Sequence, residues 1–342
     1  MTTISKPSSL LESRPLIEAE LKRAVADNKS PLHRMLRYHL GWIDQMGMPE
    51  RHASPDRVLG TLTLLSAEAV GASAAQAVPG AAAMELTKAY FQIHEELRAG
   101  TPEVAGRPAL WWHAGASQGI NAGDGMYALA RLELMRLEEL DISADRITRA
   151  LATLDRASLR VTETLYRAIT AEGTLEDTPE AHIEAIRGKA AIHGAACAMG
   201  AIIGNGSPRV VDALRSFGER TGTAAIVREE LRAIRGVHGS SRSQLVEMLD
   251  KRRSLPVLAL LKMATGNDRA ALTATAVRDG PLSDERLEKL AVLMESTGAV
   301  RYCEETIQQE LQEGLEAMKA AALPADAADR LAELARFAAG TH

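Results

Sequence analysis

The sequence is poor in aromatic residues. Only 3% of the 342 residues are Phe, Trp or Tyr, while hydrophobic residues of all kinds make up 46%. The core must therefore be built from Ala, Leu, Ile, Val and Met. Strands favour aromatic and β-branched side chains, so an aliphatic core that is rich in alanine favours closely packed helices instead.

Other features are also absent, and each absence excludes a class of protein. The two cysteines, Cys197 and Cys303, are too few and too far apart for a zinc site or a disulfide framework. The net charge of −5 gives no electrostatic case for binding nucleic acid. No run of about 18 apolar residues occurs, so no membrane span is expected, and the polar residues 1–12 lack the apolar core of a signal peptide. The sequence thus indicates a reduced, cytoplasmic protein.

Helical patterning is present along almost the whole chain. Apolar residues recur at helical spacing, and Gly, Pro, Asn and Ser separate the segments. The spacing predicts helices over residues 16–26, 32–43, 58–70, 78–98, 121–141, 143–170, 179–203 and 210–235, with further helices towards the C-terminus. No alternating pattern typical of strands has a useful length. We therefore expect one all-α domain over residues 1–342, with residues 1–12 disordered.

The pentapeptide Glu-Glu-Leu-Arg-Ala occurs twice, each time within a predicted helix. In one reading, the first glutamate and the arginine of each copy form an i,i+3 salt bridge on an exposed helix face. In the other reading, the two acidic pairs face each other across a bundle and hold a metal ion or a diphosphate, as sites in all-α folds do. The residues concerned are Glu95, Glu96 and Arg98 in the first copy, and Glu229, Glu230 and Arg232 in the second.

Several short segments occur in the order and at the spacing of one known family. They are residues 34–42, 62–71, 106–108, 121–124, 187–189, 217–219 and 254–258. As a set they resemble the trans-isoprenyl diphosphate synthases, the polyprenyl synthase family. The resemblance implies an isoprenoid-synthase-type bundle of helices around a central apolar cavity, and a dimer that forms through long bundle helices.

The same resemblance implies a magnesium site. The family binds magnesium ions through two aspartate-rich motifs on facing helices, and oxygen ligands suit that ion. By position those motifs are the two pentapeptides, and the predicted metal ligands are Glu95, Glu96, Glu229 and Glu230. Glutamate has replaced each paired aspartate, and an arginine follows two residues after each pair.

Most of the cations with which the family holds diphosphate are absent at the corresponding positions. The motif for isopentenyl diphosphate aligns with residues 55–60, where Asp56 and Leu59 replace a lysine and an arginine. An arginine pair of the family is replaced by Val104 and Ala105. Phosphate recognition depends on such cations, so ordinary chain elongation should be lost. The predicted substrate-binding residues are the remaining cations, namely Lys189, Arg98, Arg232 and Arg252.

Three single residues have more than one reading. Lys189 is either a helix lysine whose stem packs while its head stays in water, or part of an anion site. His94 is a ligand or a base beside Glu95, or a histidine that is satisfied locally. Asp124 is interpreted as the cap of a helix that begins near residue 121.

Two functions remain open. In the first, the protein binds or acts on an allylic prenyl diphosphate, with metal-assisted departure of diphosphate for cyclisation, for an unusual prenyl transfer or for hydrolysis rather than elongation. In the second, the fold is a non-catalytic or regulatory subunit that pairs with itself or with an active homologous synthase. Acidic pairs at both positions favour the first function, and the concerted loss of diphosphate clamps favours the second.

Overall fold

The computed structural model describes residues 5–25, 30–50, 56–104, 106–170, 178–235, 254–270 and 284–341. Its helices are α1 Ser8–Val25, α2 Pro31–His39, α3 Val58–Glu68, α4 Ala74–Ala99, α5 Leu110–Ala114, α6 Ala116–Met135, α7 Ala144–Thr170, α8 Pro179–Lys189, α9 Ala191–Ile203, α10 Pro208–Arg235, α11 Leu255–Met263, α12 Asp284–Ser296, α13 Ala299–Lys319 and α14 Ala325–Ala339. A 3-10 helix spans Arg136–Leu140, and the short strands β1 Glu103–Val104 and β2 Arg107–Pro108 pair antiparallel.

Capping residues explain where several helices begin and end. The Ser73 hydroxyl accepts a hydrogen bond from the backbone of Gln76, whose side chain accepts one from the Ser73 backbone, and this reciprocal pair starts α4. Gly100 ends α4 with a left-handed φ of 68°. Thr178 caps α8, and Pro179 follows at the first position, where no N–H is needed.

The all-α class agrees with the sequence prediction, and the differences lie mostly at helix ends. Helix α1 begins at Ser8, inside the segment that was expected to be disordered, because Leu10 is buried in the core. The helix predicted over residues 179–203 is divided at Ala190, whose ψ of −6° ends α8. Strands β1 and β2 were not predicted, since two residues are too few to show an alternating pattern.

The apolar helices α3 and α9 pack against each other within the core, and both also contact α4. In α3 all residues from Leu59 to Ala67 are buried, and in α9 all from Gly194 to Ile203. They approach closely at Gly200, where a β-carbon would lie only 2.2 Å from the backbone oxygen of Thr63. Small side chains thus allow the close helix packing that the scarcity of aromatics predicted.

Two long helices carry the acidic pairs near their C-terminal ends. Glu95 and Glu96 lie in the last turns of α4, and Glu229 and Glu230 lie near the end of α10. Helix α8 contacts α10, α11, α7 and α9. Among the helices in the described ranges, none is both long and apolar enough to cross a bilayer.

Candidate functional site

Two cationic side chains meet at the first acidic position. The guanidinium of Arg98 donates from Nε and Nη2 to the two carboxylate oxygens of Glu95, at 3.1 and 2.5 Å. The ammonium of Lys189, at the end of α8, lies 4.0 Å from the same carboxylate. All three side chains remain partly exposed. The spacing predicted the Glu95–Arg98 pair within α4, and the family resemblance placed Lys189 among the substrate-binding residues, but neither predicted a contact between Lys189 and Glu95.

Glu96, the second carboxyl of this pair, is half-buried. Burial raises its pKa to about 7, and no cation in the described part of the chain offsets that effect. The pKa of Tyr38 is also raised, chiefly by burial, with smaller contributions from the charges of Glu50 and Glu96. At neutral pH the carboxyl group of Glu96 therefore carries a proton for a large part of the time, which weakens it as a metal ligand.

Replacing Glu96 with glutamine should stabilise the protein in alkaline solution. Because the pKa is higher in the folded than in the unfolded state, wild-type stability falls as pH rises from about 4.5 through about 7. We expect Glu96→Gln and wild type to have the same free energy of unfolding at pH 4. At pH 8 the free energy of unfolding of the variant should be higher than that of wild type by about 1–3 kcal/mol. Urea unfolding of both proteins across this range measures the difference. A constant difference at all pH values would contradict the assigned burial.

The two glutamates of the second pair do different things. Glu229 is 62% exposed and pairs with the equally exposed Arg232 at 3.1 Å, as the salt-bridge reading predicted. Glu230 is only 14% exposed and lies 3.0 Å from Nε2 of His182 in α8. It also accepts the backbone N–H of Leu255 at 2.8 Å, at the first residue of α11. Glu230 therefore joins three helices rather than pointing a free carboxylate at a ligand.

This contrast predicts unequal effects on stability. Glu230→Ala leaves the first N–H of α11 without its acceptor and should lower the free energy of unfolding by about 1–2 kcal/mol. Arg232→Ala removes only an exposed ion pair and should cost less than about 0.5 kcal/mol. Chemical denaturation of the two variants beside wild type measures both values. Equal losses would contradict the assignment of Glu230 as a helix cap.

The four predicted metal ligands do not form one magnesium site in this arrangement. Lys189 and His182, which contact the two pairs, lie seven residues apart on α8, or roughly 10 Å along its axis. Within the residues that the structure describes, no group of three or more His, Cys, Asp and Glu side chains is placed to hold a metal ion. Glu95 is bound by a guanidinium, and Glu230 by a backbone N–H and a histidine. These donors, as they are held, do not fit magnesium. Arg252, which was predicted to bind substrate, lies outside the described residues.

The position of the missing clamp lysine is neutralised rather than negative. Asp56 forms an ion pair at 2.7 Å with Lys6, from the segment ahead of α1. The adjacent Arg57 is buried and is held by Glu18 at 2.8 Å, with Glu85 at 3.9 Å. The sequence did not reveal the Lys6 contact, because the two residues are fifty positions apart. Arg57 is therefore part of the core and is not available to a ligand.

The charge of Lys88, which lies two turns before Glu95 in α4, helps to lower the pKa values of two histidines. Burial, reinforced by the charge of Lys88, lowers the pKa of His193 in α9 to about 4. Burial and the charges of Arg107, Arg57 and Lys88 lower the pKa of His39 in α2 to about 4 as well. Both imidazoles are therefore neutral at physiological pH.

His94 faces α6 rather than the second acidic pair. Its Nε2 lies 3.5 Å from a carboxylate oxygen of Asp124, and its ring is 4.8 Å from that of Tyr90. A β-carbon at Gly123 would lie 2.3 Å from the imidazole, so only glycine admits it. Asp124 is inside α6, which begins at Ala116, so the interpretation of Asp124 as a helix cap is wrong.

Comparison with known proteins gives the family. The polyprenyl synthetase family matches residues 52–294. The (2E,6E)-farnesyl diphosphate synthase of Mycobacterium tuberculosis is 27% identical over 325 residues, covering 92% of this chain and 88% of that protein. The geranylgeranyl diphosphate synthase of the same organism is 26% identical over 302 residues, covering 87% of this chain and 84% of that protein. The crystal structure of a polyprenyl synthetase from Streptomyces coelicolor A3(2) superposes with a TM-score of 0.87 at 27% identity, over 97% of this chain and 98% of that one. The chain therefore belongs to the polyprenyl synthetase family and has its all-α isoprenoid synthase fold.

Proposed function

We propose that this protein binds an allylic prenyl diphosphate at the C-terminal end of α4 and does not extend it with isopentenyl diphosphate. Membership of the polyprenyl synthetase family supports the ligand class, as do relatives described as farnesyl and geranylgeranyl diphosphate synthases. The loss of extension is an inference from the residues at the clamp positions. It is consistent with the neutral Asp56–Lys6 pair and with Leu59 and Val104, which carry no charge.

The observation that carries the proposal is the meeting of Arg98 and Lys189 on Glu95. The positive charges of Arg98 and Lys189 attract a diphosphate, and they disfavour a metal ion beside Glu95. The planar fork of Arg98 suits bidentate binding of a phosphate, and Lys189 supplies a point charge. An arriving diphosphate takes the place of the Glu95 carboxylate on these donors.

Magnesium has no step in this proposal. Members of the family generally use it, but the donors present here do not fit it, because Glu95 is held by a cation and burial keeps Glu96 partly protonated. We therefore do not propose metal-assisted departure of diphosphate. The residues of this chain bind and orient the diphosphate, and we assign no bond-breaking role to any of them.

Calorimetric titration with farnesyl diphosphate in the presence of EDTA tests the binding. Wild type should bind without a divalent metal, and the double variant Arg98→Ala, Lys189→Ala should bind roughly tenfold to a hundredfold more weakly, because two charge-assisted contacts are lost. Arg232→Ala is the matched control, since it removes the same type of i,i+3 arginine from the other pentapeptide, and it should change affinity less than about twofold. Equal affinity of wild type and double variant would refute the site.

A partner role is the second candidate, and exposed apolar side chains on two contacting helices favour it. Six large hydrophobic side chains are exposed on the contacting helices α6 and α7. They are Ile120, Leu132, Met135, Leu159, Tyr166 and Ile169. Where such side chains adjoin one another they form an interaction surface, which a second copy or a homologous synthase would cover. Analytical ultracentrifugation of wild type and of Leu159→Glu tests this candidate. A dimer whose interface includes these side chains should dissociate in the variant. A wild type that is monomeric would contradict a homodimer.

A further inference from the structure

The last turn of α8 is anchored by a buried carboxylate. The side chain of Glu310 in α13 is only 2% exposed. It accepts hydrogen bonds from Nε, at 3.0 Å, and from Nη2 of Arg187, which lies two residues before the end of α8 at Lys189. The same carboxylate accepts a hydrogen bond from Nη1 of Arg220 in α10 at 3.1 Å. One buried side chain therefore connects α8, α10 and α13.

Packing alone does not hold the guanidinium of Arg187 in place. A cavity of about 340 Å³ opens beside it, between side chains of α8 and α13, and charged and polar groups such as Glu305 and Gln309 line this cavity. The other carboxylate on Arg187 belongs to Glu184, which is 68% exposed, so that ion pair contributes little. The charge of Glu310 is therefore what fixes the position of Arg187.

Other contacts of α8 control its last turn less directly. Two earlier side chains also bond to neighbouring helices, but the later of them, His182, lies seven residues before Lys189, or roughly 10 Å along the axis. Gly188 packs against α7, where a β-carbon would lie 2.1 Å from the hydroxyl oxygen of Thr164. That hydroxyl donates to a carbonyl of its own helix, so it restricts the turn without bonding to it. Arg187 is the anchor nearest to Lys189 among these.

Arg187 and Lys189 leave α8 on different sides of the helix. Residues two positions apart in an α-helix are separated by about 200° around its axis. Arg187 accordingly reaches α13, while the ammonium of Lys189 lies 4.0 Å from the carboxylate of Glu95 in α4. Because both side chains belong to one turn, a rotation of that turn moves both. Holding the guanidinium of Arg187 therefore sets the direction in which Lys189 points.

We propose that Glu310 is a positioning residue that acts through Arg187 to place Lys189 at the diphosphate. The inference rests on the proposed function, because Lys189 is one of the two cations assigned there to the diphosphate. Glu310 itself is buried and bound by two guanidinium groups, so it does not contact the ligand. Without its charge, Arg187 is free to turn into the cavity with the exposed Glu184, and the last turn of α8 no longer holds Lys189 in one direction.

A double-mutant cycle, measured by calorimetric titration with farnesyl diphosphate in EDTA, tests the positioning. Glu310→Gln should weaken binding by roughly threefold to tenfold, because one charge-assisted contact is misplaced. Lys189→Ala should weaken it by a similar factor. The combined variant should bind no more weakly than Lys189→Ala alone, since an absent lysine cannot be misplaced. A merely structural role of Glu310 would instead multiply the two losses.

Glu313→Gln is the matched control. It removes another carboxylate of α13, which binds Arg220 at 2.9 Å, without touching Arg187, and it should change the affinity less than about twofold. Arg187→Gln breaks the same contact as Glu310→Gln but leaves Glu310 paired with Arg220. It should have the same effect on affinity, and it takes the place of Glu310→Gln if circular dichroism shows that variant to be unfolded.

Labelling of lysines without ligand separates this inference from the proposed function. Wild type and Glu310→Gln are acetylated briefly with acetic anhydride, and mass spectrometry gives the rate at Lys189 relative to Lys289, which is paired within α12. The relative rate should rise about twofold or more in the variant, because Lys189 leaves its carboxylate. An unchanged rate, or losses of affinity that multiply in the combined variant, would overturn the positioning by Glu310. If the rate rises but wild type does not bind farnesyl diphosphate in EDTA, the diphosphate site is contradicted and the placement of Lys189 by Glu310 is supported.

Discussion

Wild-type protein incubated with isopentenyl diphosphate and a dimethylallyl, geranyl or farnesyl diphosphate starter should not make any prenyl diphosphate that is longer than the starter. We expect this result with or without magnesium. We expect turnover at least about a thousandfold below that of an intact synthase, since enzymes of this type depend on positioned charge to stabilise the transition state. Leu59 and Val104 stand where the family resemblance places cations. At the first acidic pair, the carboxylate of Glu95 is held by Arg98, and the carboxyl group of Glu96 is partly protonated at neutral pH.

Repulsion by Asp56 is not part of the reason, because Lys6 neutralises it. The assay uses radiolabelled isopentenyl diphosphate and separates products by chain length. The farnesyl diphosphate synthase of Mycobacterium tuberculosis, assayed in parallel, is the positive control. Turnover within tenfold of that enzyme would contradict the predicted loss of elongation, and it would show that other residues supply the missing charges.

Gly200→Ala should strongly destabilise the protein, although it adds only one methyl group. The added carbon would lie 2.2 Å from the backbone oxygen of Thr63, 2.8 Å from Cβ of Ser66 and 2.9 Å from the backbone nitrogen of Ala67. Backbone atoms cannot rotate away, so α3 and α9 must separate along the centre of the core. We expect a loss of about 3 kcal/mol or more in the free energy of unfolding.

Gly125→Ala is the control for this substitution. Its β-carbon would meet only leucine side-chain atoms, at 3.7 Å or more. Within helix α6 the change should therefore stabilise the protein by up to about 1 kcal/mol, through helix propensity and a smaller unfolded-state entropy. Urea denaturation of both variants gives the comparison. Similar effects of the two substitutions would show that α3 and α9 do not pack as closely as described.

The fold could be predicted from local signals to a large extent. Thr178 and Pro179 mark the start of α8 in the sequence and do so in the structure. The division of the 179–203 segment at Ala190 carries no such signal, since alanine favours a helix on both sides. The true start of α4 was missed because its capping residue, Ser73, lies ahead of a stretch of small residues.

Local sequence signals predicted less of the candidate site than of the fold. The pairs Glu95–Arg98 and Glu229–Arg232 follow from i,i+3 spacing and are present. Contacts between distant segments could not be read from the sequence, and they decide what the acidic residues do. The resemblance named Lys189 as a substrate-binding residue but did not indicate its contact with Glu95, and no signal indicated that Glu230 caps α11. The raised pKa of Glu96 likewise depends on burial, which no local pattern revealed.

The affinity for farnesyl diphosphate with and without magnesium distinguishes a cationic diphosphate site from a metal site. Isothermal titration of wild type is carried out in EDTA and again in excess magnesium chloride. If Arg98 and Lys189 hold the diphosphate, binding occurs in EDTA and magnesium leaves the affinity unchanged or weakens it, because the ion competes for the ligand's charge. Binding that appears only with magnesium would contradict the cationic site and would assign the acidic pairs to a metal site after all.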